Sequence, residues 1–118
     1  MDVVWVFLGG GCGAVARWGL SIASPQPWGT VAINLVGCAL LAVLMHPDMR
    51  VGGAWKLALA TGFMGSFTTY STFNFFVLAA LKEQDWGSAA AQVAVTLIGG
   101  LLAGAAGWFA AGWWRAGV

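Results

Sequence analysis

Four long apolar stretches take up almost the whole chain, and each is long enough to cross a lipid bilayer as a helix. Charged residues lie mainly between these stretches and make up only 8% of the 118 residues, whereas a soluble domain carries about 25%. A helix that crosses the bilayer needs about 20 residues, so four such helices with short loops use the full length. The sequence therefore predicts an all-α membrane protein with four transmembrane helices and no soluble domain.

Tryptophans lie near the ends of these stretches. The indole ring is partly apolar and partly polar, so tryptophan favours the membrane–water interface. The residues at these ends are Trp5, Trp18, Trp28, Trp55, Trp86, Trp113 and Trp114. They predict one domain of four helices over about residues 4–22, 29–45, 54–81 and 87–114, of which the third is longer than a straight span requires.

Composition and isolated side chains exclude several classes of function. The formal net charge is +1, so the chain has no basic face for binding nucleic acid. His46 is alone in a predicted loop, and the apolar stretches contain no group of histidines and carboxylates, so an enzyme active site is not expected. Cys12 and Cys38 fall within apolar stretches and are interpreted as packing residues, because no second type of metal ligand accompanies them.

The basic residues give almost no preferred orientation in the membrane. The predicted topology places Arg50, Lys56 and Arg115 on one side. It places Arg17 and Lys82 on the other side, so the usual cytoplasmic excess is nearly absent. Either a weak signal is overridden during insertion, or copies insert both ways up and pair as an antiparallel, dual-topology homodimer. Because four helices alone pack into a solid bundle, a path for a substrate favours a second copy.

Glycines and one arginine are predicted to have structural roles. Gly9 and Gly13 form a GxxxG face in the first helix, on which a neighbouring backbone can approach closely. Gly100 and Gly104 form a second such face in the fourth helix. Arg17 lies one turn beyond Gly13, where its long side chain either reaches the membrane surface or bonds carbonyl groups of another helix.

Polar side chains follow one face of the second helix and one face of the fourth. Thr30, Asn34 and Cys38 are spaced four residues apart, so they share a face. Asn34 is the most polar side chain well inside an intact span. It either bonds a neighbouring helix as a structural contact or offers its N–H donors to a passing ion. Gln92 and Thr96 show the same spacing and either pack between helices or line a vestibule.

A polar run from Gly62 to Phe73 interrupts the third apolar stretch. Its hydroxyl side chains, besides that of Tyr70, are Ser66, Thr68, Thr69, Ser71 and Thr72. Each aliphatic hydroxyl can bond the carbonyl four residues back and leave the helix intact. Alternatively, the helix unwinds, its carbonyls bind a cation, and the positive ring edges of Tyr70 and Phe73 meet an anion. Broken helix at membrane depth survives only inside protein or beside a wet cavity, so the run is a candidate functional site.

Three segments resemble the sequence motifs of one family. The glycine-rich segment 10–17 resembles the first motif of the Fluc (CrcB) fluoride channels. Segment 29–37 is similar to their second motif, and the polar run 62–73 is similar to their third. The motifs occur in order and at the family's spacing, so the resemblance covers essentially the whole chain.

The resemblance implies an antiparallel, dual-topology homodimer in the plasma membrane that exports fluoride passively through two pores. Its partners would be fluoride, a second copy of the chain and membrane lipid. Asn34 would donate to fluoride, and Tyr70 and Phe73 would present their ring edges to it. The side chains predicted to line the pore are Asn34, Tyr70, Phe73, Ser71, Thr72 and Thr30.

A structural sodium ion is also implied, held on the dimer axis by main-chain carbonyls of Gly65 and Thr68 from both subunits. The family's fourth helix supplies a polar track, for which Gln92 and Thr96 are the candidates here. This chain has Tyr70 where the family usually has phenylalanine. Tyrosine keeps the ring edge and adds a phenolic donor, so either group could meet the ion.

Two other functions fit a short four-helix membrane protein. A proton-coupled exporter that resembles the small multidrug resistance transporters needs a carboxylate inside the first helix, whereas Asp2 lies at its start and Glu83 and Asp85 lie in a loop. A structural membrane subunit, held by its GxxxG faces, would not need the polar run.

The absence of a buried Lys or Arg, apart from Arg17 near a helix end, fits the passage of a fluoride ion that neutral donors hold only weakly.

Overall fold

The computed structural model describes residues 1–117, and in them it contains helices and no strand. The helices are α1 (Asp2–Ala23), α2 (Trp28–Met45), α3 (residues 53–67), α4 (Tyr70–Lys82) and α5 (Trp86–Ala116). Their ends lie within two residues of the four predicted spans, the third of which is divided into α3 and α4. The chain is therefore all-helical, and the division falls inside the polar run.

Three of these helices, α1, α2 and α5, are each long and apolar enough to cross a membrane. Neither α3 nor α4, the two halves of the divided third segment, is long enough to do so alone. At 1.5 Å per residue, α3 and α4 each measure about 20 Å, whereas the hydrocarbon core is about 30 Å thick. The two halves reach across only together, so their junction at Thr68 and Thr69 falls near the middle of the segment.

Helix α1 packs against α3 with glycine at each point of closest approach. A Cβ on Gly9 would collide with the carbonyl of Ala58, and a Cβ on Gly13 would collide with the carbonyl of Phe63. A Cβ on Gly62 would lie 2.9 Å from the backbone nitrogen of Gly10. The two backbones are in direct contact, which only hydrogen at these Cα positions permits.

Helix α2 packs against α5 in a similar way. A Cβ on Gly107 would collide with the carbonyl of Ala39, and a Cβ on Gly99 would lie 3.1 Å from Leu35. The Gly100–Gly104 face is looser, since a Cβ on Gly100 would lie 3.5 Å from the Cys38 sulfur, an ordinary contact. The four-residue spacing predicted the face, but the closest approach lies one turn further along α5.

Two turns are wound as π-helix, with hydrogen bonds to the fifth residue. One covers Leu57–Met64 in α3, and the other covers Val95–Gly99 in α5. The first lies along the contact with α1 and contains Gly62. The second carries Thr96, one of the polar candidates in the fourth span.

The small core lies beneath the junction of α3 and α4. Ile33, Met64 and Phe67 form a buried apolar cluster there. Large apolar side chains elsewhere face outward, as in Phe7 of α1 and Leu101 of α5. A chain that exposes such side chains over most of its surface matches hydrocarbon better than water.

We expect Gly13→Ala to destabilise the protein and Gly11→Ala to leave it unchanged. The new Cβ at position 13 would collide with the Phe63 carbonyl, whereas a Cβ at Gly11 meets no atom within 4 Å. Overpacking of this kind costs about 1–3 kcal/mol. Thermal unfolding in detergent, followed by size-exclusion chromatography, measures both variants. Equal unfolding midpoints for the two variants would contradict the direct backbone contact.

Candidate functional site

The helix stops at two adjacent threonines. Thr68 has φ −81° and ψ 155°, and Thr69 has φ −147° and ψ 117°, so both backbones are extended. The Thr69 side chain caps α4 by accepting a hydrogen bond from the Thr72 N–H at 3.3 Å. Threonine is favoured at such a cap because its hydroxyl replaces a missing helical acceptor. The helix therefore restarts in an orderly way one residue later, at Tyr70.

The side chain of Asn34, on α2, bonds the backbone of the break. Its Nδ2 donates to the Thr69 carbonyl at 2.9 Å, and its Oδ1 accepts from the Thr69 N–H at 2.8 Å. Asn34 is 9% exposed and Thr69 is half-buried, so both bonds are partly shielded from solvent. The amide satisfies both main-chain groups of Thr69 and leaves one of its own N–H groups for another acceptor.

Several main-chain carbonyls lose their helical partners at the break, as at any helix end, and those of Gly65 and Thr68 are among them. In a continuous helix the Gly65 carbonyl would accept from the Thr69 N–H, which here donates to Asn34. The Thr68 carbonyl would accept from the Thr72 N–H, which here donates to the Thr69 hydroxyl. Gly65 is exposed, and a Cβ there would meet nothing within 4 Å. The two carbonyls that the resemblance implies as sodium ligands are thus free of helical hydrogen bonds, as are their neighbours at this helix end.

Hydroxyl groups cluster at the start of α4. The Thr69 hydroxyl donates to the Thr72 hydroxyl at 3.0 Å, and the Ser71 hydroxyl lies 3.5 Å from that of Thr69. The Thr68 hydroxyl turns the other way and donates to the Met64 carbonyl at 3.0 Å. The break therefore presents neutral polar groups, none of which carries a formal charge.

A cavity of about 180 Å³ opens beside the break. The residues that line it are Arg17, Trp18, Ser21, Thr30, Ile33, Thr69 and Thr72. Arg17 is the only charged one among them, and its Nε is buried without a hydrogen-bond partner in residues 1–117. The Thr30 hydroxyl donates to Gln26 Oε1 at 2.7 Å. The structure thus brings a positive charge to a space that reaches the threonines of the break.

The two aromatic candidates have different surroundings. Their ring centroids are 6.2 Å apart, and the ring planes are tilted by 48°. Phe73 is 6% exposed, whereas Tyr70 is 78% exposed. Within one chain, Phe73 lies in the interior and Tyr70 lies on an open surface.

Of the polar candidates in the fourth span, Gln92 is buried and Thr96 is half-buried. Gln92 is 1% exposed, and its Nε2 donates to the Ser88 hydroxyl at 3.1 Å. The Gln92 Oε1 and the Thr96 hydroxyl are buried without a partner in residues 1–117. Buried polar atoms of this kind are uncommon and call for a partner such as water or an ion.

Sequence reasoning did not find three parts of this site. The pairing of Asn34 with Thr69 joins residues 35 positions apart and leaves no local signal. Trp18 and Ser21 line the cavity, although their positions at a helix end predicted only an interface. The π-helical turn that carries Thr96 also has no sequence signature. Residues 1–117 contain no group of three or more His, Cys, Asp or Glu that could hold a metal ion.

We expect Asn34→Ala to loosen the break and Asn74→Ala, on the exposed side of α4, to leave it unchanged. Without the amide, the Thr69 N–H and carbonyl lose their partners, at a cost of about 1–3 kcal/mol for each buried group. Hydrogen-exchange mass spectrometry on peptides that cover residues 65–75 measures the opening. Identical exchange in wild type and Asn34→Ala would show that other contacts hold the break.

Comparison with known proteins assigns the chain to a family. The family described as "CrcB-like protein, Camphor Resistance (CrcB)" matches residues 4–108. A Sorangium cellulosum protein named "Fluoride-specific ion channel FluC" is 38% identical over 87% of this chain and 88% of its own length. A Paracidovorax citrulli protein of the same name is 36% identical over 98% of both chains. The chain belongs to the CrcB family and is a multi-pass integral protein of the plasma membrane.

Proposed function

We propose that the chain is a fluoride-selective channel that exports fluoride passively across the membrane. The observation that carries this proposal is the break at Thr68 and Thr69, an uncharged polar gap that Asn34 holds open inside an apolar segment. The names of the relatives support the same ion. Those relatives are named ion channels, so the chain is not expected to be an enzyme.

Neutral donors suit this ion. Fluoride is small and strongly hydrated, so the loss of its water is costly unless new donors replace it. A conducting site must also release the ion, which favours several weak contacts over one strong ion pair. The second N–H of Asn34 and the hydroxyls of Ser71 and Thr72 are donors of this kind. Thr30 would first have to turn its hydroxyl away from Gln26.

Arg17 acts at the entrance and not at the break. Its charge in the cavity beside Thr69 and Thr72 attracts an anion toward the break. The ion then passes from a charged space to neutral donors. This order raises the local fluoride concentration without a cation deep in the path that would hold the ion too tightly.

Aromatic ring edges provide the next contacts in the proposed path. Phe73 lies inside the protein next to the cluster of hydroxyls, and its positive ring edge is the more sheltered one. Tyr70 is exposed in a single chain. In the proposed dimer a second copy covers it, and the two rings then form one contact with the ion.

The carbonyls of Gly65 and Thr68 fit a sodium ion shared by two copies. Both have lost their helical partners to the break, and hard cations prefer oxygen ligands. The bound ion would supply positive charge that offsets the repulsion between two nearby fluorides. The exposed position of Gly65 would let the carbonyls of an inverted second copy approach.

The proposed assembly is the antiparallel, dual-topology homodimer. Two observations support it: the nearly equal basic charge on the two sides of the membrane, and the open surface around Gly65 and Tyr70. A proton-coupled exporter lacks support, since every Asp and Glu lies at a helix end or in a loop. A purely structural subunit leaves the break without a role.

Purified protein in liposomes is expected to release trapped fluoride and to retain trapped chloride. Chloride is larger than fluoride, so the neutral donors around the break are expected to fit chloride less well. Ion-selective electrodes record both effluxes after a potassium ionophore removes the opposing voltage. Absence of fluoride efflux from a sample that is dimeric would contradict the proposal.

Tyr70→Phe is expected to conduct nearly as well as wild type, and Tyr70→Leu to conduct about two- to tenfold less. The first change keeps the ring edge, and the second removes an aromatic contact of about 0.5–1.5 kcal/mol. Fluoride efflux from liposomes compares the two. A Tyr70→Phe protein as slow as Tyr70→Leu would assign the contact to the phenolic hydroxyl.

A further inference from the structure

A second charged cavity lies at the end of the protein where α2 and α5 finish. It has a volume of about 300 Å³ and opens where the loop after α2 meets the end of α5. The residues that line it are Asp48, Arg50, Gly112, Arg115 and Ala116. Two guanidinium groups and one carboxylate leave a net positive charge. Within residues 1–117 neither arginine is within 4.0 Å of a carboxylate.

An apolar groove of about 240 Å³ is formed by other residues of the same loop and the same helix end, together with Val43 of α2. Its lining residues are Val43, Met49, Ala110, Ala111 and Trp114. The two spaces share the same loop and the same helix end: Met49 lies between Asp48 and Arg50, and Trp114 directly precedes Arg115. Sequence neighbours on both elements therefore line the two spaces, which places a basic and an apolar space at the same end of the protein.

Two tryptophans indicate how deep these two spaces lie in the membrane. Trp113 and Trp114 are 84% and 74% exposed, and the indole ring favours the level of the lipid headgroups. Arg50 and Arg115 are also exposed, at the polar end of the pair. The basic cavity thus lies at headgroup level, and the groove points toward the hydrocarbon.

We propose that these two spaces form a binding site for an anionic phospholipid. The headgroup phosphate lies against Arg50 and Arg115, since guanidinium binds phosphate oxygens through paired N–H donors. The upper part of one acyl chain lies along Met49 and Trp114. Basic pockets at the membrane surface bind lipid headgroups in this way. The apolar groove favours a lipid over a free phosphate, which would leave it uncovered. This site does not depend on the conduction path.

Native mass spectrometry of the detergent-purified protein tests the site with phosphatidylglycerol and phosphatidylcholine of identical acyl chains. Wild type is expected to retain phosphatidylglycerol preferentially. Arg50→Gln and Arg115→Gln should each lower that preference roughly fivefold, and the double variant about thirtyfold. The matched control is Lys82→Gln, which removes one exposed positive charge at the opposite end of the bundle and should leave the preference unchanged.

Three outcomes would overturn the proposal. The first is equal retention of the two lipids by wild type. The second is a double variant, or either single variant, that keeps the full preference for phosphatidylglycerol. The third is displacement of phosphatidylglycerol by millimolar inorganic phosphate, which would assign the arginines to a soluble anion. Retention that survives inorganic phosphate and is lost with the arginines supports the lipid site.

Discussion

The bidentate contact between the Asn34 amide and the backbone of Thr69 is the interaction on which the rest of the site depends. Hydrocarbon offers no hydrogen bonds, so extended backbone inside a membrane segment must find its partners within the protein. Asn34 provides both partners from a neighbouring helix. By taking the Thr69 N–H it also removes the helical partner of the Gly65 carbonyl. A single side chain therefore stabilises the break and releases a main-chain oxygen.

Close helix packing positions this contact. Gly9 and Gly13 let α1 lie directly on α3, which fixes the half of the divided segment that leads into the break. Gly37, three residues after Asn34 in α2, has a similar role. A Cβ on Gly37 would collide with the side chain of Thr68. The backbones on both sides of the break are thus held within contact distance. The proposed conduction through neutral donors would need this rigidity, because an amide that moved freely would not replace water at a fixed place.

The sequence predicted the helices well and the site only in part. Apolar length and interfacial tryptophans located the helix ends, because both follow from the thickness of a bilayer. The polar run predicted an interruption but not its position, since a partner 35 residues away selects Thr69. Tyr70 and Phe73 were predicted as a pair, yet Tyr70 is exposed and Phe73 is buried in one chain. The role proposed for both rings would need a second copy, which local spacing does not describe.

Fluoride efflux from liposomes that contain Asn34→Ala tests the central claim most directly. Lys82→Gln, an exposed change at the end of α4, is the control, and chemical crosslinking verifies that each variant is dimeric. Asn34→Ala is expected to stay dimeric and to lose fluoride efflux, because the amide both holds the break and donates to the ion, while Lys82→Gln conducts as wild type does. Wild-type efflux from a dimeric Asn34→Ala protein would contradict it.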